Sequence, residues 1–139
     1  MYKKILLAVD GSEHSLLATQ EVVKIASLIN DCKVKIVFVV DFSKAKNEVL
    51  HAQGKEELDL SRRKRLLPIE EKLVSNGVSY EIKILHGEPG PTIVDYANRE
   101  IFDLVVLGSR GFNALQEMVL GSVSHKVAKR VQCPVLIVK

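Results

Sequence analysis

The sequence predicts an α/β fold with a five-stranded parallel sheet in the order 3-2-1-4-5 and helices on both faces. Strand-like and helix-like segments alternate four times along the 139 residues, and a fifth strand-like segment follows. Several of the strand-like segments are continuous apolar runs, which is typical of strands buried on both faces of a sheet. Short connections favour right-handed crossovers and hence a doubly wound, Rossmann-like topology in one domain, residues 1–139.

The strands are predicted from their apolar runs and from the residues that end them. Asp10-Gly11 closes the first run, and Asp41 closes the second. The third strand alternates apolar and polar residues, so we expect it to be half exposed and near a sheet edge. The five predicted strands cover residues 5–9, 34–40, 80–84, 103–107 and 135–138.

The helices are predicted from apolar periodicity and end signals. Ser12 is a candidate N-cap of a helix that should stop near Asn30-Asp31. Residues 41–54 are polar and irregular, and a charged amphipathic helix is expected over 55–75, where Pro68 should kink or split it. Its inner face has these apolar side chains available: Leu58, Leu66, Leu67, Ile69 and Leu73.

The remaining helices follow turn signals. Asn76-Gly77 should end the charged helix. The turn at residues 87–91 leads into a short helix carrying Ile93, Val94 and Ala97. The last helix is expected over 122–131, and its inward-facing residues should be Val123, Val127 and Val131.

Composition excludes several classes of protein. The formal net charge of +3 is too small to indicate a nucleic-acid or membrane partner. The basic run at residues 62–65 is flanked by acidic residues at helical spacing, which favours a solvated helix face. Cys32 and Cys133 form no metal-ligand or disulfide pattern, and no apolar run is long enough for a signal peptide or a membrane span. We therefore expect a cytoplasmic protein.

The most informative motif is a pair of glycine clusters that flank one loop. Gly108-Ser109-Arg110-Gly111 follows the fourth strand, and Gly121-Ser122 follows after nine further residues, where a helix should begin. Free amides at such a helix start hold anions well, which indicates a nucleotide-phosphate site. The alternative is structural: Gly108 and Gly111 could form a tight turn that requires positive φ.

The predicted topology leads to the same place. In the order 3-2-1-4-5 the switch point lies between strands 1 and 4, and ligands bind there at the carboxyl ends of the strands. Those ends are Asp10-Gly11 and Gly108-Ser109, so the first carboxylate and the glycine clusters should share one crevice.

Together these residues make the chain resemble the universal stress protein family in its ATP-binding branch. The resemblance rests on residues 3–12, the Gly87-Glu88-Pro89 turn, the spaced glycine clusters and residues 134–138, and it covers essentially the whole chain. It implies an adenine-nucleotide alpha hydrolase-like α/β homodimer, paired through the final strand Val135–Val138. It also implies ATP binding and a part in stress responses.

The resemblance also implies which residues contact the nucleotide. Val39 would lie beside the base, and Ala8 stands where some ATP-binding members carry proline. The full implied set is Ala8, Val9, Asp10, Val39, Gly108, Ser109, Arg110, Gly111, Gly121, Ser122, Val123 and Ser124.

Several of these residues have more than one interpretation. Asp10 could contact ribose or help to hold Mg²⁺, which needs few protein carboxylates, or it could form an Asx turn with Gly11. Arg110 could reach a phosphate oxygen or be a solvated loop charge. Ser122 and Ser124 could cap the helix, contact phosphate, or do both.

The function predicted from the sequence is an ATP-binding, homodimeric sensor or switch with at most slow hydrolysis, acting on an unidentified downstream protein. No Walker-type lysine loop and no nucleophile elbow occurs in the sequence. Two alternatives remain: a slow metal-dependent ATPase or nucleotidyl transferase, and a nucleotide-free interaction scaffold.

Overall fold

The predicted sheet order is confirmed. A computed structural model describes residues 2–41, 55–110 and 121–139, with only the backbone for 55–59. Its five strands form one parallel sheet in the order β3-β2-β1-β4-β5. In chain order the described elements are β1 (Lys4–Val9), α1 (Glu13–Ser27), β2 (Lys33–Val40), α2 (Lys55–Ser75), β3 (Ser79–His86), α3 (Pro89–Glu100), β4 (Leu104–Gly108), α4 (Ser122–Arg130) and β5 (Val135–Val138).

The two hydrophobic clusters lie on opposite faces of this sheet. Side chains of α1 and α2, among them Val22 and Leu73, pack on one face, and side chains of α3 and α4, among them Tyr96 and Val127, pack on the other. The central strand β1 supplies both faces, because successive side chains of a strand point in opposite directions. Ile5, Leu6 and Leu7 are fully buried as a result.

The C-terminus of α2 matches its sequence signal. Gly77 adopts φ +68, and its amide donates to the Val74 carbonyl at 3.0 Å. The Val78 amide donates to the Leu73 carbonyl at 2.9 Å. This pair of bonds is a Schellman ending, for which glycine in the left-handed region is suited.

Two details of α2 differ from the prediction. The helix is not split at Pro68, and Leu67 is 51% exposed instead of facing inward with Leu66, Ile69 and Leu73. Pro68 has no amide hydrogen to donate to the Lys64 carbonyl group. Both residues lie on the exposed side of the helix, so water can reach that carbonyl group. Leu58, the fifth residue predicted to face inward, lies outside the residues whose side chains are described.

Helix α1 is shorter than predicted. It ends at Ser27 with Leu28 as its C-cap, and the turn toward β2 includes Asp31, which has φ 61. The edge position of β3 and the inward packing of Val123, Val127 and Val131 are both confirmed. The segment predicted to be irregular, 41–54, lies outside the described residues except for Asp41.

Neither cysteine is in a disulfide bond. Within the described ranges, no helix combines the length and apolarity that crossing a bilayer requires.

Candidate functional site

The turn after β1 is built around the Asp10 carboxylate. Its Oδ1 atom accepts hydrogen bonds from the Ser12 amide at 2.9 Å and from the Ser15 hydroxyl at 2.8 Å. The Asp10 amide in turn donates to the Ser15 oxygen at 2.9 Å. The Asx turn considered from the sequence therefore forms. Among the described residues these bonds use only Oδ1, so Oδ2 stays available.

Gly11 is required at this turn for two reasons. It adopts φ +84, which L-residues with side chains rarely do, and a Cβ here would lie 2.9 Å from Cβ of Arg65. The aliphatic stem of Arg65 therefore packs over the turn. The sequence had indicated a solvated face for residues 62–65, but Arg65 is half-buried, whereas Arg63 and Lys64 are exposed.

The end of β4 is tied to the start of α4 through one carbonyl group. The Ser109 carbonyl accepts from the Gly121 amide at 2.9 Å and lies 2.9 Å from the Ser124 hydroxyl. That hydroxyl also lies 3.0 Å from the Gly121 carbonyl, so its single proton is shared between two acceptors. Ser109 and Ser124 are both buried, and the Ser109 amide donates to Val138 of β5. These bonds hold the chain after β4 close to the start of α4.

Three main-chain amides where α4 begins have no hydrogen-bond partner in residues 2–41, 55–110 and 121–139. The first bond within the helix runs from the His125 amide to the Gly121 carbonyl at 3.0 Å. The amides of Ser122, Val123 and Ser124 come before this bond and have no partner within the helix. The Ser122 side chain is exposed beside them. Because the positive end of the helix dipole lies here, this group can bind an anion.

Gly108 and Gly121 are explained by close contacts with neighbouring backbone atoms and not by the positive φ considered from the sequence. Gly108 is not among the positive-φ residues, so the positive-φ turn predicted as its alternative is wrong for this residue. A Cβ at Gly108 would lie 2.9 Å from the His14 carbonyl oxygen, so glycine lets α1 approach the end of β4. A Cβ at Gly121 would lie 3.2 Å from the Ser109 carbonyl oxygen.

The first two residues of the implied contact set, Ala8 and Val9, face opposite sides of the sheet. Ala8 and Val39 belong to the cluster beneath α3 and α4, on the same side as the free amides. Val9 packs in the cluster beneath α1 and α2. A ligand on the α4 side can therefore touch the side chains of Ala8 and Val39 but only the main chain of Val9.

The strands bring most of the implied nucleotide contacts together at their carboxyl ends. Ala8 pairs in register with Leu107, directly before Gly108, and Val9 pairs with Phe38, directly before Val39. Arg110 is the second residue after β4, and its Cα lies 3.5 Å from where a Cβ at Gly121 would be. Gly111 lies outside the described residues.

Three residues near this crevice were missed from the sequence. Ser15 orients Asp10, and a hydroxyl five residues after a strand-ending aspartate in a predicted first helical turn was the available signal. Ser12 Oγ and His14 Nδ1 are buried without a hydrogen-bond partner among the described residues. Ser12 occupies the N-cap position, as expected, but its hydroxyl makes no capping bond.

The groups with shifted pKa values lie elsewhere. Burial raises the pKa of the thiols of Cys32 and Cys133, so both stay protonated near neutral pH. Cys32 lies just before β2 and Cys133 just before β5. Both are therefore near the amino ends of the strands, whereas the crevice lies at the carboxyl ends. His125, which is close in sequence to the glycine clusters, is exposed on α4.

Comparison with known proteins identifies relatives of this chain. The family model described as the universal stress protein family matches residues 1–139. Universal stress protein YxiE from Bacillus subtilis is 35% identical over 157 residues, covering 100% of both chains. The solved structure of the protein MJ0577 covers 100% of this chain and 96% of its own, with a TM-score of 0.85 and 33% identity.

A further solved neighbour is a universal stress protein in complex with cAMP. It matches with a TM-score of 0.70 and 25% identity, covering 99% of this chain and 96% of its own. The match over the full length, the shared topology and the identities together establish the relationship. This chain belongs to the universal stress protein family.

Proposed function

We propose that this protein binds ATP in the crevice between the carboxyl ends of β1 and β4, as a homodimeric nucleotide-dependent sensor or switch in a stress response. The observation that carries the proposal is the set of amides at Ser122, Val123 and Ser124, which have no partner among the described residues. They lie at a helix start, beside Arg110 and at the topological switch point of the sheet. A polyphosphate is the adenine-nucleotide group that suits such a site.

The base and sugar have complementary surfaces nearby. Val39 is half-buried on the α4 side of β2, where its side chain can pack against adenine. Main-chain groups at the end of β1 can hydrogen-bond to the nucleotide. A family neighbour solved with cAMP supports an adenine nucleotide as the ligand. Among adenine nucleotides, the triphosphate accounts best for the spaced glycine clusters.

Asp10 is the residue proposed to meet Mg²⁺ or the ribose. Its Oδ1 is fixed by Ser12 and Ser15, so the direction of the carboxylate is set before any ligand binds. Mg²⁺ binds through one or two protein carboxylates together with phosphates and water, which fits a single available Oδ2. The metal would neutralise phosphate charge next to this carboxylate.

The proposed dimer pairs the final strands of two copies. β5 is an edge strand of four apolar residues, each only partly buried in the single chain. An apolar edge of this kind is an exposed template for strand pairing, and pairing with a second copy removes it. Light scattering should report a dimer, and a stable monomer at micromolar concentration contradicts this part of the proposal. We further propose a cytoplasmic location, with the free thiols of Cys32 and Cys133 in keeping with a reducing compartment.

The decisive test places a negative charge where the phosphates should be. Ser122→Asp adds a carboxylate at the first position of α4, where it stabilises the helix, so the fold should be kept. It should nevertheless weaken Mg-ATP binding in calorimetry by about tenfold or more, because it repels the phosphates at short range. Ser122→Asn is the matched neutral control and should bind with affinity close to that of the unmodified chain.

The same titrations distinguish the triphosphate from other adenine nucleotides. AMP and cAMP carry one phosphate, so Ser122→Asp should weaken their binding less than it weakens ATP binding. If Ser122→Asp and Ser122→Asn bind ATP equally well, the phosphates do not lie at α4 and the proposed site is wrong.

Hydrolysis is addressed by incubation of the protein with Mg-ATP. Our proposal expects at most slow release of phosphate. Efficient phosphoryl transfer needs an oriented nucleophile, a metal and charge stabilisers together. Fast turnover that disappears in Asp10→Ala would instead assign the chain to the metal-dependent ATPase or nucleotidyl-transferase alternative.

A further inference from the structure

The outer face of α2 carries an apolar stripe with a seven-residue repeat. Leu60, Leu67 and Val74 are 56%, 51% and 64% exposed, although the neighbouring Leu66 and Leu73 are buried against the sheet. Residues seven apart recur on one side of a helix within about 20° of each other. The three side chains therefore form one line, and the described residues leave it open to solvent.

Charged residues beside this stripe have opposite signs in its two halves. Arg63 lies before Leu67 and Glu71 lies after it, at equal distances along the helix. Both side chains are exposed, and neither has an ion-pair partner among the described residues. Lys64 and Glu70 repeat the arrangement one residue closer to Leu67, although Glu70 already accepts a hydrogen bond from the Tyr80 hydroxyl at 3.0 Å.

This pattern is self-complementary about Leu67. When two copies of α2 lie antiparallel with a two-fold axis at Leu67, residues equally far before and after position 67 come to the same height along the contact, and each residue stays on its own side of the stripe. Leu67 then meets Leu67 of the second copy, and Leu60 meets Val74. Because each residue stays on its own side of the stripe, Lys64 lies beside Glu71 of the second copy and Arg63 lies beside Glu70, so the apolar positions of the stripe meet apolar partners and these flanking cations meet anions.

We propose that the outer face of α2 is a docking surface for α2 of a second copy of this chain, in this antiparallel register. A homodimeric contact about a two-fold axis must be complementary to itself. The α2 face meets that requirement in both its apolar and its charged positions. A partner of a different sequence would not need this symmetry.

The contact is small and should be concentration-dependent. It is one helix wide and about 21 Å long from Leu60 to Val74, well below the standard interface of about 1,600 Å². α2 packs beside the edge strand β3, whereas β5 is the opposite edge of the sheet. The α2 contact can therefore form in addition to pairing through β5, and together the two contacts would join dimers into larger assemblies.

Disulfide trapping tests the register directly. In a Cys133→Ser background, Leu67→Cys lies on the two-fold axis, so oxidation with copper phenanthroline should cross-link two chains. Leu60→Cys alone should not cross-link, because its two copies would lie about 21 Å apart. The double variant Leu60→Cys/Val74→Cys should cross-link again. Absence of cross-linking at Leu67→Cys, or equal cross-linking of Leu60→Cys alone, overturns the proposal.

Charge exchange is the independent test. Lys64→Glu and Glu71→Lys should each weaken self-association by about 2- to 30-fold in sedimentation, because two ion pairs are lost in each contact. The double variant Lys64→Glu/Glu71→Lys should restore association, because the exchanged charges again lie beside opposite charges in the contact. Lys129→Glu, an exposed reversal on α4, is the control and should leave this association unchanged.

Leu67→Glu should abolish the contact. At concentrations where the unmodified chain associates through α2, the assembly should fall back to the size set by β5 alone. Thermal unfolding should show that the variant stays folded, since position 67 is exposed. An unchanged assembly, or a double charge exchange that does not restore association, would assign this face to a different occupant and overturn the proposal. None of these variants touches the nucleotide crevice, so ATP binding should persist in all of them.

Discussion

The Ser124 hydroxyl lies 2.9 Å from the Ser109 carbonyl oxygen and so joins the end of β4 to the first turn of α4. Both residues are almost completely buried, with 2% and 6% of their surfaces exposed. The bond holds the helix start of the candidate phosphate site at the carboxyl end of β4. Ser124 is therefore a positioning residue whatever its direct contacts with a ligand.

Replacement of Ser124 should show this role. Ser124→Ala should lower the free energy of unfolding by about 1 kcal/mol, the usual net contribution of one hydrogen bond, because the Ser109 carbonyl keeps its bond from the Gly121 amide. Denaturant unfolding measures the change. Ser27→Ala is the control, since that hydroxyl is exposed and bonds only to the Lys24 carbonyl. An equal loss in both variants would contradict the positioning role.

Gly108 should tolerate substitution less well than Gly121. A Cβ at Gly108 would lie 2.7 Å from the His14 Cβ and 2.9 Å from its carbonyl oxygen, and backbone atoms cannot move aside cheaply. At Gly121 the nearest atom would lie 3.2 Å away. We expect Gly108→Ala to cost about 1–3 kcal/mol of stability and Gly121→Ala less, as measured by chemical denaturation. The reverse order would show that α1 does not set the requirement for glycine.

The core prediction concerns Leu73, which lies on the inner face of α2 and is 0% exposed. Leu73→Ala removes buried apolar volume and leaves a cavity, so the free energy of unfolding should fall by about 2–5 kcal/mol. Leu28→Ala, at a leucine that is 86% exposed, should change it by no more than about 0.5 kcal/mol. Thermal and urea unfolding of both variants provide the comparison, and similar losses at the two sites would contradict the assigned core.

A pH dependence should arise from Lys35 and Glu81, which face each other in register on β2 and β3. The hydrogen bond from Lys35 lowers the pKa of Glu81 below its ordinary value. A depressed pKa in the folded state stabilises the protein above the ordinary carboxyl pKa, and this contribution is lost as pH falls through the lowered value. Stability should therefore decline between these two pKa values as the solution is acidified.

A double-mutant cycle isolates this contribution. Glu81→Gln should flatten the acid limb of the stability profile, and Lys35→Met should do the same because it removes the partner. In the Lys35→Met background, Glu81→Gln should add little further change. Because both side chains are at the surface, high salt should reduce the effect. An acid limb that is steeper in Glu81→Gln would contradict the assignment.

Much of the fold follows from local sequence patterns. The bounds of α2 and β5, the glycine ending of α2, and the sheet order were all predicted from periodicity, turn residues and the handedness of crossovers. These features depend on residues close together in sequence, or on topological rules that hold for most parallel sheets. The end of α1 and the exposure of Leu67 were not predicted, because packing against neighbouring elements decides them.

The candidate site, like the fold, was predicted only in part from the sequence. Its glycine clusters, its strand-ending Asp10 and its place at the switch point could be found from residue types and spacing alone. Other features of the site depend on segments that only folding brings together. His14 approaches Gly108 and requires glycine there, Arg65 covers Gly11, and Ser15 orients Asp10.

The sequence by itself therefore determined which main-chain and side-chain groups were present and which strands would carry them to one edge. The tertiary structure decided which of those groups are consumed by the protein's own hydrogen bonds and which stay free. The Gly121 amide and the Ser124 hydroxyl bond internally, whereas the Ser122 and Val123 amides have no partner within the part of the chain that the structure describes. The physical reason is that a hydrogen bond depends on distances of a few tenths of an ångström between segments remote in sequence, and periodicity carries no such information.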